Sequence, residues 1–281
     1  MLSYRHAYHA GNHADVLKHF MLVQLVRYLT QKDKPFWIID THAGAGYYAL
    51  DAGRATQLAE YRTGIERLWS RQDLPAALAD YVELVRGLNP DGVLRAYPGS
   101  PHFALKLMRS QDRLRLFELH SSDSRLLQDN FREAGERVRV AAADGFAGLR
   151  ALLPPPPRRA LILIDPAYED KGDYRRVIEA LVDGLQRFPT GLYALWYPLL
   201  QRPEAQRLPH KLRALPAKNW LNVSLTVRGV SADGFGMHGS GMYLINPPWI
   251  LPELLKETLP YLVAALGQDA EAGFSLEYDG L

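Results

Sequence analysis

Short apolar runs rich in β-branched and aromatic residues alternate along this chain with longer segments of helical periodicity. That alternation admits little besides a mostly parallel sheet covered by helices. The runs are FWIID (36–40), RLRLFEL (113–119), RVRVAAAD (137–144), ALILID (160–165), GLYALWYP (191–198), WLNVSLTVRG (220–229) and GMYLINPP (241–248). SRLLQDNFREAGE and YRRVIEALVDGLQRF are typical of the helical segments between them, and PPPP at 154–157 is a stiff lead into ALILID. The last two runs are joined by a short glycine-bearing connection, which predicts an antiparallel pair ending a seven-stranded mixed sheet. The chain has 281 residues, enough for one large α/β domain with an insertion.

The insertion is legible from spacing. In doubly wound folds the acidic residue that holds a ribose follows the glycine turn by about 20 residues, whereas Asp40 and Glu118 are 78 positions apart. The excess predicts a helical insertion subdomain over residues 49–96, carrying LAEYRTGIERLW and PAALADYVELVRGLN. It is set into a Rossmann-like body made of residues 1–48 and 97–281.

Composition bounds the chemistry. With 33 basic and 31 acidic residues the formal charge is +2, so any nucleic-acid footprint must be local. There is no cysteine, which removes disulfides, thiolate metal sites and cysteine nucleophiles and fits a reducing compartment. No apolar run approaches the ~20 residues of a membrane helix, and MLSYRHAYHAGNHAD lacks the apolar centre of a signal peptide. A cytoplasmic protein without membrane contact is expected.

Polar residues cluster where the strands end. DTHAGAGYY (40–48) follows the first strand, and Gly44 and Gly46 allow a tight turn close to a ligand. Glu118, Asp144 and Asp165 follow the next parallel runs. Any one of them alone could be a helix cap or a loop carboxylate. Three in register predict a ligand along the carboxyl edge of the sheet. Ser100, in YPGSP, either caps the helix HFALKLMR or meets an anionic ligand group at that helix start.

The segment YRHAYHAGNHADVLKH brings His6, His9, His13 and His19 close in sequence. Zinc would use such spacing, but with no cysteine and only Asp15 as a nearby acid, no metal is expected. Arg5, Lys18 and His19 suit an anion instead, either a phosphate of RNA or a ligand carboxylate. RPEAQRLPHKLRALPAK holds Arg202, Arg207, Lys211, Arg213 and Lys218 against Glu204 alone, and is either a solvated helix face or a phosphate-binding surface.

Two stretches carry Asn or Asp, then Pro, then one further residue and an aromatic: DPAY (165–168) and NPPW (246–249). NPPW ends the strand expected to run antiparallel, so it should point to the opposite edge. There its prolines would close a strand and open the helix PELLKETLPYLVAAL.

YRHAYHAGNHADVLKH, DTHAGAGYY, YPGSP, ADGF, LILIDPAYE and INPPW, in that order, resemble from end to end the bacterial 23S ribosomal RNA adenine-N6 methyltransferase family called RlmJ. The resemblance implies a Rossmann-like class I fold with S-adenosylmethionine (S-adenosyl-L-methionine) as methyl donor. It further implies one adenine of 23S rRNA as target, free or early in ribosome assembly, and a monomeric enzyme. Carried over residue by residue, Lys18, His19, His42, Gly44, Ser100, Glu118, Asp144 and Gly145 would line the cofactor. Asp165 would be both catalytic and a cofactor neighbour, and Tyr4, with Arg5 beside it, would touch the RNA. Asp165 and the carbonyl of Pro166 would accept the two hydrogens of the adenine amine, with Tyr168 stacked on the base.

Ala167 departs from the pattern, which has a second proline there. The lost ring costs rigidity, about 0.4–1 kcal/mol of chain entropy, and predicts a weakened but live site. The motif is shared with DNA adenine methyltransferases, and a binder whose catalysis has decayed would carry it too.

Overall fold

The structure is a computed structural model and describes residues 5–51 and 55–280. Its strands are β1 (Trp37–Asp40), β2 (Tyr47–Ala49), β3 (Ala96–Pro98), β4 (Arg113–Phe117), β5 (Val138–Ala141), β6 (Ala160–Ile164), β7 (Leu192–Leu199), β8 (Trp220–Thr226), β9 (Gly239–Ile245) and β10 (Gly273–Asp279). The helices are α1 (His13–Thr30), α2 (Ala55–Leu58), α3 (Glu66–Trp69), α4 (Ala76–Arg86), α5 (Ser100–Leu107), α6 (Ser121–Asn130), α7 (Gly145–Leu152), α8 (Asp173–Arg187), α9 (Pro203–Arg213) and α10 (Leu251–Leu266).

Eight strands form one sheet in the order β10-β8-β9-β7-β6-β1-β4-β5. All seven expected strands are present, and the eighth, β10, is a correction. It pairs antiparallel with β8 at the sheet edge. Its sequence GFSLEYD is mostly exposed, so it lacks the apolar run that marks the other strands. At the centre β1 is parallel to both β4 and β6, which aligns Asp40 with Leu116 and Leu163. β6 is buried along its whole length, as a strand covered on both faces must be. β9 lies between β7 and β8, antiparallel to each.

Two apolar layers sandwich the sheet. One is built with α1, α4, α5 and α10, through residues such as Phe20, Tyr81, Phe103 and Leu259; the other with α7, α8 and α9, through Leu149, Val177 and Leu208. α1 is buried nearly all round, and Asp15, Lys18 and His19 lie within it. Charged side chains at such depth need partners, and their partners build the cleft described below.

The segment 49–96 begins and ends in the β2–β3 ladder, in which Tyr48 faces Tyr97 and Ala49 faces Ala96. Its Leu68, Leu78, Tyr81, Val82 and Val85 join the α1 layer. Arg67 reaches past it to donate to the Gly267 carbonyl at the end of α10, 2.8 Å away. Among the described residues no helix is long and apolar enough to cross a membrane.

Candidate active site

The carboxyl ends of β1, β4, β5 and β6 and the start of α1 surround a cleft of about 320 Å³. Lys18, His19, His42, Gly44, Ser100, Glu118, Asp144, Gly145, Asp165 and Pro166, each singled out in the sequence, all line it. They come together because each follows a strand of one sheet, apart from Lys18 and His19, which α1 brings in, and Ser100, which follows β3 of the two-stranded ladder.

Lys18 is the charge at the centre. Its Nζ donates to Asp165 Oδ2 at 2.6 Å and to Asp15 Oδ1 at 2.9 Å. The same ammonium lies 5.8 Å from the centre of the Trp196 ring. Burial alone would lower the Lys18 pKa, but Asp15 and then Asp165 override it and raise it, so the side chain is a fixed cation. Asp15 also accepts from His6 Nε2 and the Gly11 amide, both at 2.9 Å. Burial would push the Asp15 carboxyl up, yet His6 and Lys18 hold it well below the usual range. For Asp165 burial prevails over Lys18 and the pKa is raised. Its short bond to a permanent ammonium opposes that rise and favours the ionised form.

Asp40, one layer beneath, accepts from Ser100 Oγ at 2.7 Å and from the His42 amide at 3.2 Å. Burial lifts it to about 6, and the nearby charge of Asp165 pushes the same way. The Ser100 hydroxyl is thereby committed to Asp40. The helix cap expected of it falls to Gly99, because α5 starts at Ser100 itself.

Glu118 is fixed by two backbone amides, Gly44 N at 2.8 Å and His120 N at 2.7 Å. Burial raises its pKa, with those amides opposing. Asp144 caps α7 through Oδ1, which accepts from Phe146 N at 2.8 Å and Ala147 N at 3.3 Å. Beside it, burial lowers the His42 imidazole to about 4, so it is neutral, and its ring meets Phe146 edge-on at 5.0 Å. A Cβ on Gly145 would sit 1.9 Å from the Thr41 carbonyl oxygen. Only glycine lets α7 start this close to the β1 turn.

The DPAY turn is pinned from three sides. Lys18 holds Asp165, Arg202 Nη1 donates to the Tyr168 carbonyl at 3.1 Å, and Tyr168 Oη donates to the Trp196 carbonyl at 2.9 Å. This corrects the expectation for Tyr168. The residue takes a left-handed backbone (φ 56°), which tucks its ring beneath the cleft against Tyr174, where it is 2% exposed and unable to stack on a base. Trp196, from β7, lines the cleft instead, with Pro166, Ala167, Pro198, Leu200 and Met237 around it. Trp196 Nε1 is buried with no hydrogen-bond partner among the described residues. No local motif marks this tryptophan; it reads as strand interior until the β7 register places it.

The histidines of the N-terminal segment diverge. His6 goes to Asp15, His9 Nδ1 to Glu60 of the insertion at 3.0 Å, and His19 Nδ1 to Tyr97 Oη at 2.8 Å. Among the described residues no group of three or more candidate ligands is placed to hold a metal. Arg5 donates to Asp123 at 2.8 Å and to Ser122 at the cleft rim; Tyr4 lies outside the described residues. In the 202–218 segment, Arg213 pairs with Glu277 while Arg207 and Lys211 are exposed. NPPW sits at the opposite sheet edge, since Ile245 aligns with Tyr193 at the start of β7. There Asn246 Nδ2 donates to the carbonyls of Pro189 and Gly191, both at 2.8 Å.

A mostly parallel sheet with two antiparallel strands, β9 and β10, at one end, and a cleft with acidic residues at successive strand ends, define a Rossmann-like methyltransferase. The chain belongs to the RlmJ family: the family model described as ribosomal RNA large subunit methyltransferase D, RlmJ, matches residues 33–278. An Escherichia coli K12 protein named ribosomal RNA large subunit methyltransferase J is 50% identical over 266 residues, covering 95% of this chain and 94% of its own. A Haemophilus influenzae protein of the same name is 46% identical over 279 residues, 99% of both chains. The crystal structure of protein LPL1258 from Legionella pneumophila superposes with a TM-score of 0.89 at 37% identity, covering 96% of this chain and 98% of that one.

Proposed function

We propose that this protein transfers the methyl group of S-adenosylmethionine to the N6 amine of one adenine in 23S rRNA. The observation that carries the reading is the Lys18-held Asp165, followed by Pro166, in one cleft with Glu118 and Asp144. The names of the relatives support ribosomal RNA as substrate.

The residues present fit the cofactor. Glu118, held from behind by two amides, is suited to accept a ribose diol, and Asp144 to accept from an adenine amine. His42 and Phe146, packed edge to face in the lining of the cleft, offer apolar ring surface to the purine. Lys18 and His19 close the end where an α-carboxylate would lie. Bound there, S-adenosylmethionine supplies an electrophilic methyl carbon.

What remains is to make the adenine amine nucleophilic, because its lone pair is delocalised into the ring. Asp165 accepts one amine hydrogen and the Pro166 carbonyl the other, drawing the nitrogen toward tetrahedral geometry and stabilising the charge that develops on it. Lys18 favours the ionised Asp165 carboxylate and holds it in place. Trp196 provides the flat apolar wall for the base, in place of Tyr168. Such a pocket needs the adenine drawn out of its stack, at a cost of a few kcal/mol. It therefore favours RNA that is free or early in assembly, met by a monomer in the cytoplasm. Arg5, Tyr4 and the exposed Arg207 and Lys211 would meet the phosphates. Residues 49–96 act as a helical subdomain on the body of 1–48 and 97–281.

The test is methylation of 23S rRNA from cells lacking the protein, read by mass spectrometry. N6-methyladenine appearing in that RNA and not in duplex DNA supports the reading. Methylation of DNA alone favours the DNA alternative, and binding of both ligands without product favours a decayed enzyme.

The three pins on the DPAY turn also bear on Ala167. Since the turn is already held, Ala167→Pro should raise stability by no more than about 0.4–1 kcal/mol. The change in kcat should stay within about three-fold. Denaturant melts and steady-state kinetics check both; a ten-fold rise in kcat would mean that the alanine leaves the turn loose.

A further inference from the structure

We propose that Phe235, at the tip of the β8–β9 loop, is the wedge that fills the RNA stack when the target base is drawn out. The proposal rests on the function proposed above. It concerns a residue outside the cleft.

The loop leaves β8 after Thr226 and returns into β9 at Gly239, on the sheet edge that carries Asp165. His238 N donates to the Leu199 carbonyl at 3.2 Å, and Gly239 aligns with Leu199 at the end of β7. Met237 lines the cleft beside Trp196 and Leu200. Two positions earlier Phe235 is 79% exposed, the most exposed large hydrophobic side chain among the described residues. Phenylalanine is among the residues most often buried.

This loop is built to hold the ring out. Phe235 N donates to Asp233 Oδ1 at 3.0 Å, and Ser231 Oγ bridges Asp233 Oδ1 at 2.7 Å and the Phe235 carbonyl at 2.5 Å. Gly234 and Gly236 on either side take positive φ, 72° and 86°. Arg228 Nη2 ties the loop to the cleft wall through the Met237 carbonyl at 3.2 Å. Arg228 forms no ion pair among the described residues, and its charge depresses the nearby His13 and His238, after burial in each case. An exposed aromatic ring two residues from the cleft lining, in a loop anchored by Arg228, matches a nucleobase and its phosphate.

Extruding a base leaves a gap that neighbouring bases must close or a protein side chain must fill. A ring held at the cleft mouth fills it without competing for the pocket. The exposed position makes Phe235→Ala a variant that folds, which a matched melting temperature verifies.

A 23S rRNA fragment carrying 2-aminopurine in place of the target adenine brightens when that base leaves the stack. At saturating protein, F235A should lose at least about four-fifths of this rise and lower kcat on the unmodified fragment about ten-fold, the scale of one lost base–aromatic stack. Its affinity for S-adenosylmethionine should match the wild type, and F235W should restore both signals. A full fluorescence rise with F235A at saturation, or an F235W variant no better than F235A, overturns the wedge. A wild-type protein that methylates no adenine of 23S rRNA overturns the underlying function instead, so the two failures are distinct.

Discussion

Asp165→Ala is expected to lower kcat for methyl transfer by about 10²–10³-fold, the scale on which one preorganised charge-stabilising group acts in a transition state. Affinity for S-adenosylmethionine should stay within a few-fold, because Glu118 and Asp144 reach the cleft through their own amide bonds. The fold should survive as well. Lys18 keeps Asp15 at 2.9 Å, so the substitution leaves no buried ammonium without a partner. Single-turnover rates and calorimetric cofactor binding separate the two effects. Normal turnover in this variant would sink the catalytic assignment. Asp165→Asn retains one acceptor oxygen but not the charge, and should fall between the two.

The second large effect comes from the other end of the same bond. Lys18→Met leaves Asp15 and Asp165 buried with no ammonium between them, close to Asp40, which burial has already lifted to about 6. Removing one partner from a buried charge set costs about 3–5 kcal/mol, and that loss is expected at pH 8 in urea denaturation. The pH dependence follows from the sign of the shifts. With Lys18 gone, burial raises the Asp165 carboxyl further above its unfolded value, while Asp15 keeps His6 as a partner. The Asp165 penalty is then absent below the unfolded carboxylate pKa and grows as pH rises through the folded value. The variant should therefore regain stability relative to wild type between pH 8 and pH 5, and its residual kcat should need a higher pH to ionise Asp165. Equal stability of variant and wild type at pH 8 would contradict the charge bridge.

The sheet was readable because its strands are short apolar-rich runs, and β1, β4, β5 and β6 each lead into an acidic residue at the carboxyl edge. Asp40, Glu118, Asp144 and Asp165 are placed by periodicity alone once the strands are parallel. NPPW could be set aside for the same reason, since a glycine-bearing connection implied reversal of β9. Three features escaped because they depend on tertiary geometry. β10 is a mostly exposed edge strand: GFSLEYD alternates Phe274, Leu276 and Tyr278 with Ser275, Glu277 and Asp279 but lacks the continuous apolar run of the buried strands. Tyr168 belongs to a motif that suggests stacking, but a left-handed φ at that residue sends the ring under the cleft. Asp15 looked like a lone acid on a histidine-rich segment, yet it is the acceptor that His6, Gly11 and Lys18 share.

The bond from Lys18 to Asp165 joins residues 147 positions apart. Asp165 lies on the strand laid beside β1 only after the insertion, β4 and β5 have been made. A chain still being synthesised thus holds the cation early and the carboxylate late. The competent charge arrangement appears only when this long loop closes. An enzyme that modifies ribosomal RNA is by this geometry silent while it is itself emerging from a ribosome.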